Sequence, residues 1–156
     1  MRTLGLVAGA ALVLAACGGG EKQTAQPATD TPAAGAPASA PSAGASHNVL
    51  MDFDGTNYKF IPHNLTVKPG DKVVFVNKAG GPHNIQFFAD SVPAESRAAL
   101  DAAMHGDKLG ELNGPLLVAE GETYEISFAG LAPGIYHLTC TPHQAMNMNM
   151  VITVQP

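Results

Sequence analysis

The 156-residue sequence has only two cysteines, no tryptophan and few basic residues. Two cysteines, at positions 17 and 140, are too few for the disulfide framework that many small exported domains carry. Eight Lys and Arg against 13 Asp and Glu give a formal net charge of −5, which argues against a nucleic-acid partner because nucleic acid requires a basic surface. The apolar run over residues 4–16 is well short of the ~20 residues that a membrane-spanning helix needs.

The first 16 residues are typical of a cleaved export signal, with a positively charged start, a short apolar run and small residues at its end. The end of the run, Leu14-Ala15-Ala16-Cys17, resembles the lipobox of bacterial lipoproteins. This resemblance implies that the thiol of Cys17 receives a diacylglycerol, and two acyl chains anchor a protein durably whereas one binds only marginally. The alternative is an ordinary signal with an incidental cysteine. We predict a signal peptide over residues 1–16 and an extracytoplasmic, membrane-anchored lipoprotein.

Residues 18–46 are almost entirely Ala, Pro, Gly, Ser, Thr and Gln, and they include no aromatic side chain. Such a composition cannot bury a core, so residues 17–46 are predicted to be the lipidated cysteine and a disordered linker that spans ~30 Å as a flexible coil. Residues 47–156 remain for one domain of ordinary size, which we expect to be monomeric.

Short apolar–polar alternations separated by Gly and Pro dominate residues 47–156 and predict strands. The predicted strands are 49–53, 58–61, 65–67, 72–77, 83–88, 122–128, 134–140 and 150–154. One Ala-rich insert, 93–105, begins with Pro and is followed by Gly106, which is the punctuation of a helix. The pattern predicts an all-β sandwich with one short helix insert. The expected core includes Phe75, Phe87, Tyr124 and Phe128.

The residues that carry chemistry lie mainly in the segment CTPHQAMNM, residues 140–148. A strand delivers Cys140, and a tight loop lets His143 and Met148 converge with it before the last strand begins. His83, where a strand resumes after a Gly-Gly-Pro break, is placed to supply a second imidazole. Two His and one Cys with a weak axial Met form the blue-copper arrangement, whereas zinc prefers four strong ligands and calcium and magnesium prefer oxygen.

Three stretches then resemble a cupredoxin of the plastocyanin and pseudoazurin type, in the expected order: FIPHNLTVKPGDKVVFVNKAGGPHNIQF, AEGETYEISF and GIYHLTCTPHQAMNMNMVITV. The resemblance implies a Greek-key β-sandwich and one-electron transfer by a single type 1 copper ion. It also implies that His83, Cys140, His143 and Met148 are the copper ligands. In the family, an Asn after the first ligand holds the Cys-bearing loop, which here would join Asn84 to Thr141.

Three methionines compete for the axial position. Met148 lies five residues after the second His, as in plastocyanin and pseudoazurin loops, and we favour it. Met146 lies three residues after, as in relatives with shorter loops. Met150 stands where the last strand should begin, so packing is its simplest role. His47, His63, His105 and His137 are interpreted as ordinary solvated side chains.

The resemblance has departures that bear on partners. Photosynthetic plastocyanins carry a Tyr before the ligand Cys, whereas this chain has Thr139, which puts a photosynthetic partner in doubt. We expect the edge of His143 to emerge near Pro82, Pro142 and Ala145 and to be the exit for electrons.

Two functions are weighed. The first is a membrane-tethered electron carrier serving redox proteins such as c-type cytochromes or a respiratory or photosynthetic complex. The second is a copper-binding protein for storage, delivery or resistance, for which the thioether-rich run at residues 146–150 argues. Enzyme activity is not expected, because four protein ligands leave no open metal position for a substrate.

Overall fold

The computed structural model describes residues 44–156, which form eight strands and one α-helix. In chain order the elements are β1 (Ser46–Phe53), β2 (Tyr58–Ile61), β3 (Asn64–Val67), β4 (Lys72–Asn77), β5 (Gln86–Phe87), α1 (Arg97–Ala103), β6 (Thr123–Ser127), β7 (Gly134–Thr139) and β8 (Asn149–Val154). The predicted signal peptide, the lipidation at Cys17 and the linker up to residue 43 lie outside the described residues. Among the described residues, no helix has the length and apolar character to cross a membrane.

The strands form two four-stranded sheets, ordered β2-β1-β4-β6 and β3-β8-β7-β5. The pairs β1–β4 and β3–β8 are parallel, and the remaining pairs are antiparallel. Strands β4 and β8 alternate buried and partly exposed residues, so each sheet turns one face inward. The inward faces share one apolar core, which confirms the predicted all-β sandwich with one short helix. The four aromatic residues predicted for the core are all buried.

Three predicted elements differ in extent by two or more residues, the first being β1, which begins at Ser46 rather than at residue 49. In the predicted strand 83–88, Gln86–Phe87 pair with β7, whereas the backbone of His83 and Ile85 bonds to Leu117 and Gly114. The predicted helix 93–105 is a 3₁₀ turn over Ala94–Ser96 followed by the seven-residue α1. The α-helix ends at Ala103 because Met104 adopts an extended backbone.

The start of β1 and the end of β4 lie at opposite poles of the domain. Ser46 pairs with Lys72, and the parallel ladder runs to Met51 opposite Asn77, which places Ser46 ~17 Å from the end of β4 at ~3.3 Å per residue. The side-chain amide of Asn77 bonds to the carbonyls of Gly81 and Leu117, beside the histidine at position 83.

The pole at which β1 begins is fastened by Asp71, which is 6% exposed. Its carboxylate accepts hydrogen bonds from the backbone N–H groups of Lys68 and Ala45, at 2.9 and 2.8 Å, and contacts Nε2 of His47 at 2.9 Å. These partners, the Lys68 N–H first and His47 second, lower the pKa of Asp71 from 3.8 to about 2. The chain is therefore held firmly where it enters the sandwich.

Candidate metal centre

Cys140 stands at the end of β7, where the chain turns into two 3₁₀ turns over Thr141–Met146. Its N–H donates to the carbonyl of Met148 at 3.0 Å, and its carbonyl accepts from the N–H of His143 at 3.1 Å. Asn147 closes the loop with a left-handed backbone, φ 60°, a conformation that Asn adopts more readily than most residues. This reversal returns Met148 beside Cys140.

His83 reaches the same place from a distant part of the sequence. Its backbone exchanges hydrogen bonds with Leu117 at 3.0 and 2.8 Å, which fixes the segment next to the Cys140 loop. Its ring Nε2 lies 2.9 Å from the carbonyl of Ala79. Because a carbonyl oxygen can only accept, Nε2 carries the proton and the neutral ring leaves Nδ1 as its free lone pair.

Both imidazoles direct Nδ1 at the thiol. The Sγ of Cys140 lies 3.5 Å from Nδ1 of His83 and 3.4 Å from Nδ1 of His143. The potential ligand atoms of the three residues all lie within 4.8 Å of one another. All three side chains are buried, with His143 the most exposed at 6%. The structure thus brings together three of the four residues predicted as ligands from segments up to 60 residues apart.

The three methionines occupy different environments. Met148 is fully buried, and its N–H donates to the carbonyl of His143 at 3.3 Å. Met146 is 54% exposed, and Met150 is an inward-facing residue of β8. Burial beside the Cys140 loop therefore favours Met148 as the axial candidate.

Asn84 and Thr141 make the contact that the sequence suggested. The Oδ1 of Asn84 accepts from the backbone N–H of Thr141 at 2.8 Å and from its hydroxyl at 2.9 Å. Asn84 is fully buried. One side chain therefore ties the residue after His83 to the residue after Cys140.

A stack of aromatic rings covers the site from the β1–β2 hairpin and was missed by the sequence analysis. The ring of Tyr58 stacks on the imidazole of His143, with centroids 3.7 Å apart and planes 11° apart. Phe53 also stacks on Tyr58, with centroids 4.5 Å apart, and Gly80 leaves room for both rings. The local sequence could not have predicted this contact, because Tyr58 looks like any other aromatic residue of a strand.

Burial favours the uncharged form of each donor group. Loss of solvation lowers the pKa of His83 and of His143, and the neighbouring His83 lowers that of His143 further. Burial likewise raises the pKa of the Cys140 thiol. Neutral imidazole is the form that binds metals, and a bound cation is what would stabilise a buried thiolate.

Several apolar residues are exposed beside the predicted ligands in the chain, and the polar Gln144 and Asn147 are exposed among them. Pro82, Pro142 and Ala145 are exposed, as is Met146. Thr139 is buried, and its hydroxyl donates to the carbonyl of Met148, so this position presents no ring at the surface.

The other histidines lie apart from the three donors. His47 contacts Asp71, and His105 packs on Tyr124 with centroids 5.1 Å apart. His63 and His137 line a separate cleft of about 600 Å³ that contains none of the predicted ligands.

The donor set fits a soft or borderline metal ion. It offers two imidazole nitrogens, one thiol sulfur and the nearby thioether of Met148, and no carboxylate belongs to the cluster. Such a set suits copper better than magnesium or calcium. Fold and site together define a small β-sandwich protein with a buried centre for such an ion.

Comparison with known proteins agrees with this class. Residues 47–155 match the family described as "Copper binding proteins, plastocyanin/azurin family". Plastocyanin of Ginkgo biloba is 38% identical over 106 residues, covering 68% of this chain and 97% of the relative.

Solved structures show the same likeness. Oxidised plastocyanin from Dryopteris crassirhizoma superposes with a TM-score of 0.54 at 29% identity, covering 69% of this chain and 99% of the other. Reduced auracyanin from Roseiflexus castenholzii gives 0.50 at 26% identity, covering 73% and 99%.

The chain belongs to the plastocyanin/azurin family of copper binding proteins. The predictions of a cupredoxin and of one copper ion as cofactor are confirmed by this membership and by the assembled donors.

Proposed function

We propose that this protein is a membrane-tethered blue (type 1) copper protein that carries single electrons between redox partners. The observation that carries the proposal is the preassembled donor set, with Nδ1 of His83 and of His143 each about 3.5 Å from Sγ of Cys140 inside the protein. Met148 is proposed as the weak fourth ligand. Copper held there would cycle between its +1 and +2 states and so store and release one electron.

The residues of the chain would keep the site rigid and dry. The carbonyl of Ala79 fixes the tautomer of His83, Asn84 holds the Cys140 loop, and Tyr58 covers the face of His143. A site whose ligands are already held in place needs little rearrangement when its charge changes. Four protein ligands would also leave no open position at which a substrate could bind.

We further propose that electrons leave through His143, which is the only one of the three clustered donors that retains any exposure. Exposed apolar residues adjoin the donors in the chain, Pro142 and Ala145 next to His143 and Pro82 next to His83. A small patch suits brief contact with a partner such as a c-type cytochrome or a respiratory or photosynthetic complex, because transient redox complexes bury little surface.

A signal peptide at residues 1–16, a lipid on Cys17 and a linker would anchor the domain on the extracytoplasmic side. The linker is shorter than the predicted 17–46, because Ser46 already belongs to β1 and Ala45 is bonded to Asp71. The direction of strand β1 supports this arrangement, because Ser46 lies at the opposite end of the domain from the end of β4 and the donors. A tether attached at the start of β1 would leave the opposite end, with the candidate metal centre, free to contact partners.

The alternative of copper storage or delivery has weaker support. An exchangeable Cu(I) site would need accessible thioethers, but Met148 and Met150 are fully buried and only Met146 is exposed.

A single spectrum tests the proposed centre. Protein loaded with Cu(II) should be strongly coloured by thiolate-to-copper charge transfer and should bleach reversibly on reduction. Cys140→Ser should abolish the colour, whereas His137→Ala, an exposed histidine of the separate cleft, should leave it intact. A colourless Cu(II) form of the unaltered protein would refute the proposal.

The exit and the tether are tested separately. Ala145→Glu should slow electron exchange with a host c-type cytochrome, whereas the same charge at the exposed Thr66 should not; equal rates for both would contradict the exit. Cys17→Ser should release the protein from the membrane fraction of the host cell, and unchanged sedimentation would contradict the lipid anchor.

A further inference from the structure

A short polar relay connects the helix-bearing insert to the loop that carries Cys140. Asn113 lies in the segment between α1 and β6. Its Oδ1 accepts a hydrogen bond from Nδ2 of Asn84 at 2.7 Å. Asn84 in turn accepts two hydrogen bonds from Thr141, the residue that follows Cys140.

The orientation of the Asn84 amide matters because its two ends have opposite chemistry. The backbone N–H of Thr141 can only donate, so the end of Asn84 that faces it must be the oxygen. A rotated amide would set its NH₂ group against that N–H. Since Asn84 is fully buried, its Nδ2 has to find an acceptor within the protein, and Asn113 supplies it.

Asn113 is itself held by its neighbours. The carbonyl of Leu112 accepts from Phe87, and the N–H of Gly114 donates to Ile85, both at 2.9 Å. The N–H of Leu112 also donates to the carboxylate of Asp101 in α1 at 2.7 Å. Leu112 is buried and has a left-handed backbone, φ 53°. Hydrogen bonds therefore hold the backbone in place on both sides of Asn113.

We propose that Asn113 is a positioning residue of the metal centre, which acts through Asn84 on the Cys140 loop. The helix-bearing insert is then the element that holds the relay in place. The proposal deepens the proposed function and rests on it for the identity of the loop, but the relay is a property of the metal-free protein and is testable without copper.

The test compares two nearly isosteric substitutions in the full-length chain. Asn113→Leu removes the acceptor, whereas Asn113→Asp keeps an oxygen in the same place. Asn48→Leu, at an exposed position on β1, controls for the general effect of replacing Asn by Leu. Amide hydrogen exchange of Thr141 and of the Asn84 side chain is measured by NMR in the metal-free proteins, and copper affinity is measured by competition.

Asn113→Leu should speed exchange of the Thr141 amide and weaken copper binding by about tenfold, the lower end of what loss of a supporting partner costs a metal site. Asn113→Asp should retain the protection and bind copper no more weakly than the unaltered protein, and Asn48→Leu should change neither quantity. Unchanged Thr141 exchange in Asn113→Leu, or the same loss in Asn113→Asp, would overturn the proposal.

Two further results keep the test decisive. If Asn113→Leu does not fold, Asn113→Ala replaces it, because it removes the same acceptor without adding a branched side chain. If the unaltered protein fails to form a coloured copper centre, the proposed function is wrong, yet the exchange measurements on metal-free protein still decide the role of Asn113.

Discussion

Replacing Tyr58 tests whether the aromatic stack stabilises the end of the domain that holds the candidate metal centre. Tyr58→Leu keeps an apolar side chain but removes two stacked ring contacts, one to His143 at 3.7 Å and one to Phe53 at 4.5 Å, besides a looser edge contact with His83 at 6.2 Å. An aromatic pair contributes about 0.5–1.5 kcal/mol beyond its buried area. Loss of both contacts should therefore lower the free energy of unfolding by about 1–3 kcal/mol.

The assay is urea denaturation of metal-free protein, since bound copper would add its own binding energy to the folded state. Tyr58→Phe is the matched control, because it retains both stacks and should stay within about 0.5 kcal/mol of the unaltered protein. A double-mutant cycle with Phe53→Leu isolates one contact and should return a coupling of about 0.5–1.5 kcal/mol.

The same substitution should affect copper affinity by a smaller amount. The stack restrains the His143 ring before any metal binds, so its loss adds an ordering cost to binding. The value of one stack corresponds to a roughly 2- to 10-fold weaker affinity. If Tyr58→Leu has the same free energy of unfolding and the same copper affinity as Tyr58→Phe, the stacked rings do not stabilise the site and the reasoning is wrong.

Three further outcomes follow from the structure. Gly80→Ala should destabilise the metal-free fold by about 1–3 kcal/mol through backbone strain alone. The loss should be larger still, because the added Cβ would stand 2.5 Å from the side chain of residue 53. Gly55→Ala, where φ is also positive but the space is open, is the control in the same denaturation assay. The pKa of Asp71 is lowered from 3.8 to about 2, so the stabilisation from its carboxylate should be complete above about pH 4 and should be lost as the pH falls toward 2. Asp71→Asn should make the free energy of unfolding less dependent on pH between about pH 4 and 2. An equally steep decline in the variant would contradict a stabilising role for the Asp71 carboxylate. Met148→Leu should shift the charge-transfer spectrum and the reduction potential while Met146→Leu leaves both unchanged, and the reverse pattern would make Met146 the axial ligand.

Local sequence patterns sufficed wherever a strand depends on its own alternation. The predicted bounds 58–61 and 72–77 coincide with β2 and β4, because apolar alternation and the flanking Pro and Gly act within a few residues. The prediction over 83–88 was too long as a strand of the second sheet. A single run of residues cannot reveal that His83 and Ile85 bond to the segment near Leu117 rather than to β7.

The metal centre was predictable only in part, for the same reason. Cys140, His143 and Met148 stand in one segment, so their spacing is visible in the chain. His83 was proposed from its place after the Gly-Gly-Pro break and from the resemblance to cupredoxins. Tyr58 carries no such signal. Its contact with His143 depends on where the β1–β2 hairpin lies in the folded sheet.

The supports of the site come from three separate parts of the fold, and each acts on a different donor. The carbonyl of Ala79 orients His83, the hairpin covers His143 through Tyr58, and Asn113 reaches the Cys140 loop through Asn84. A short loop alone cannot hold three donors against a shared centre, because each free ring or thiol would rotate among its rotamers. The β-sandwich removes that freedom before the metal arrives, so changes in the hairpin or the insert should alter the copper centre without touching a ligand.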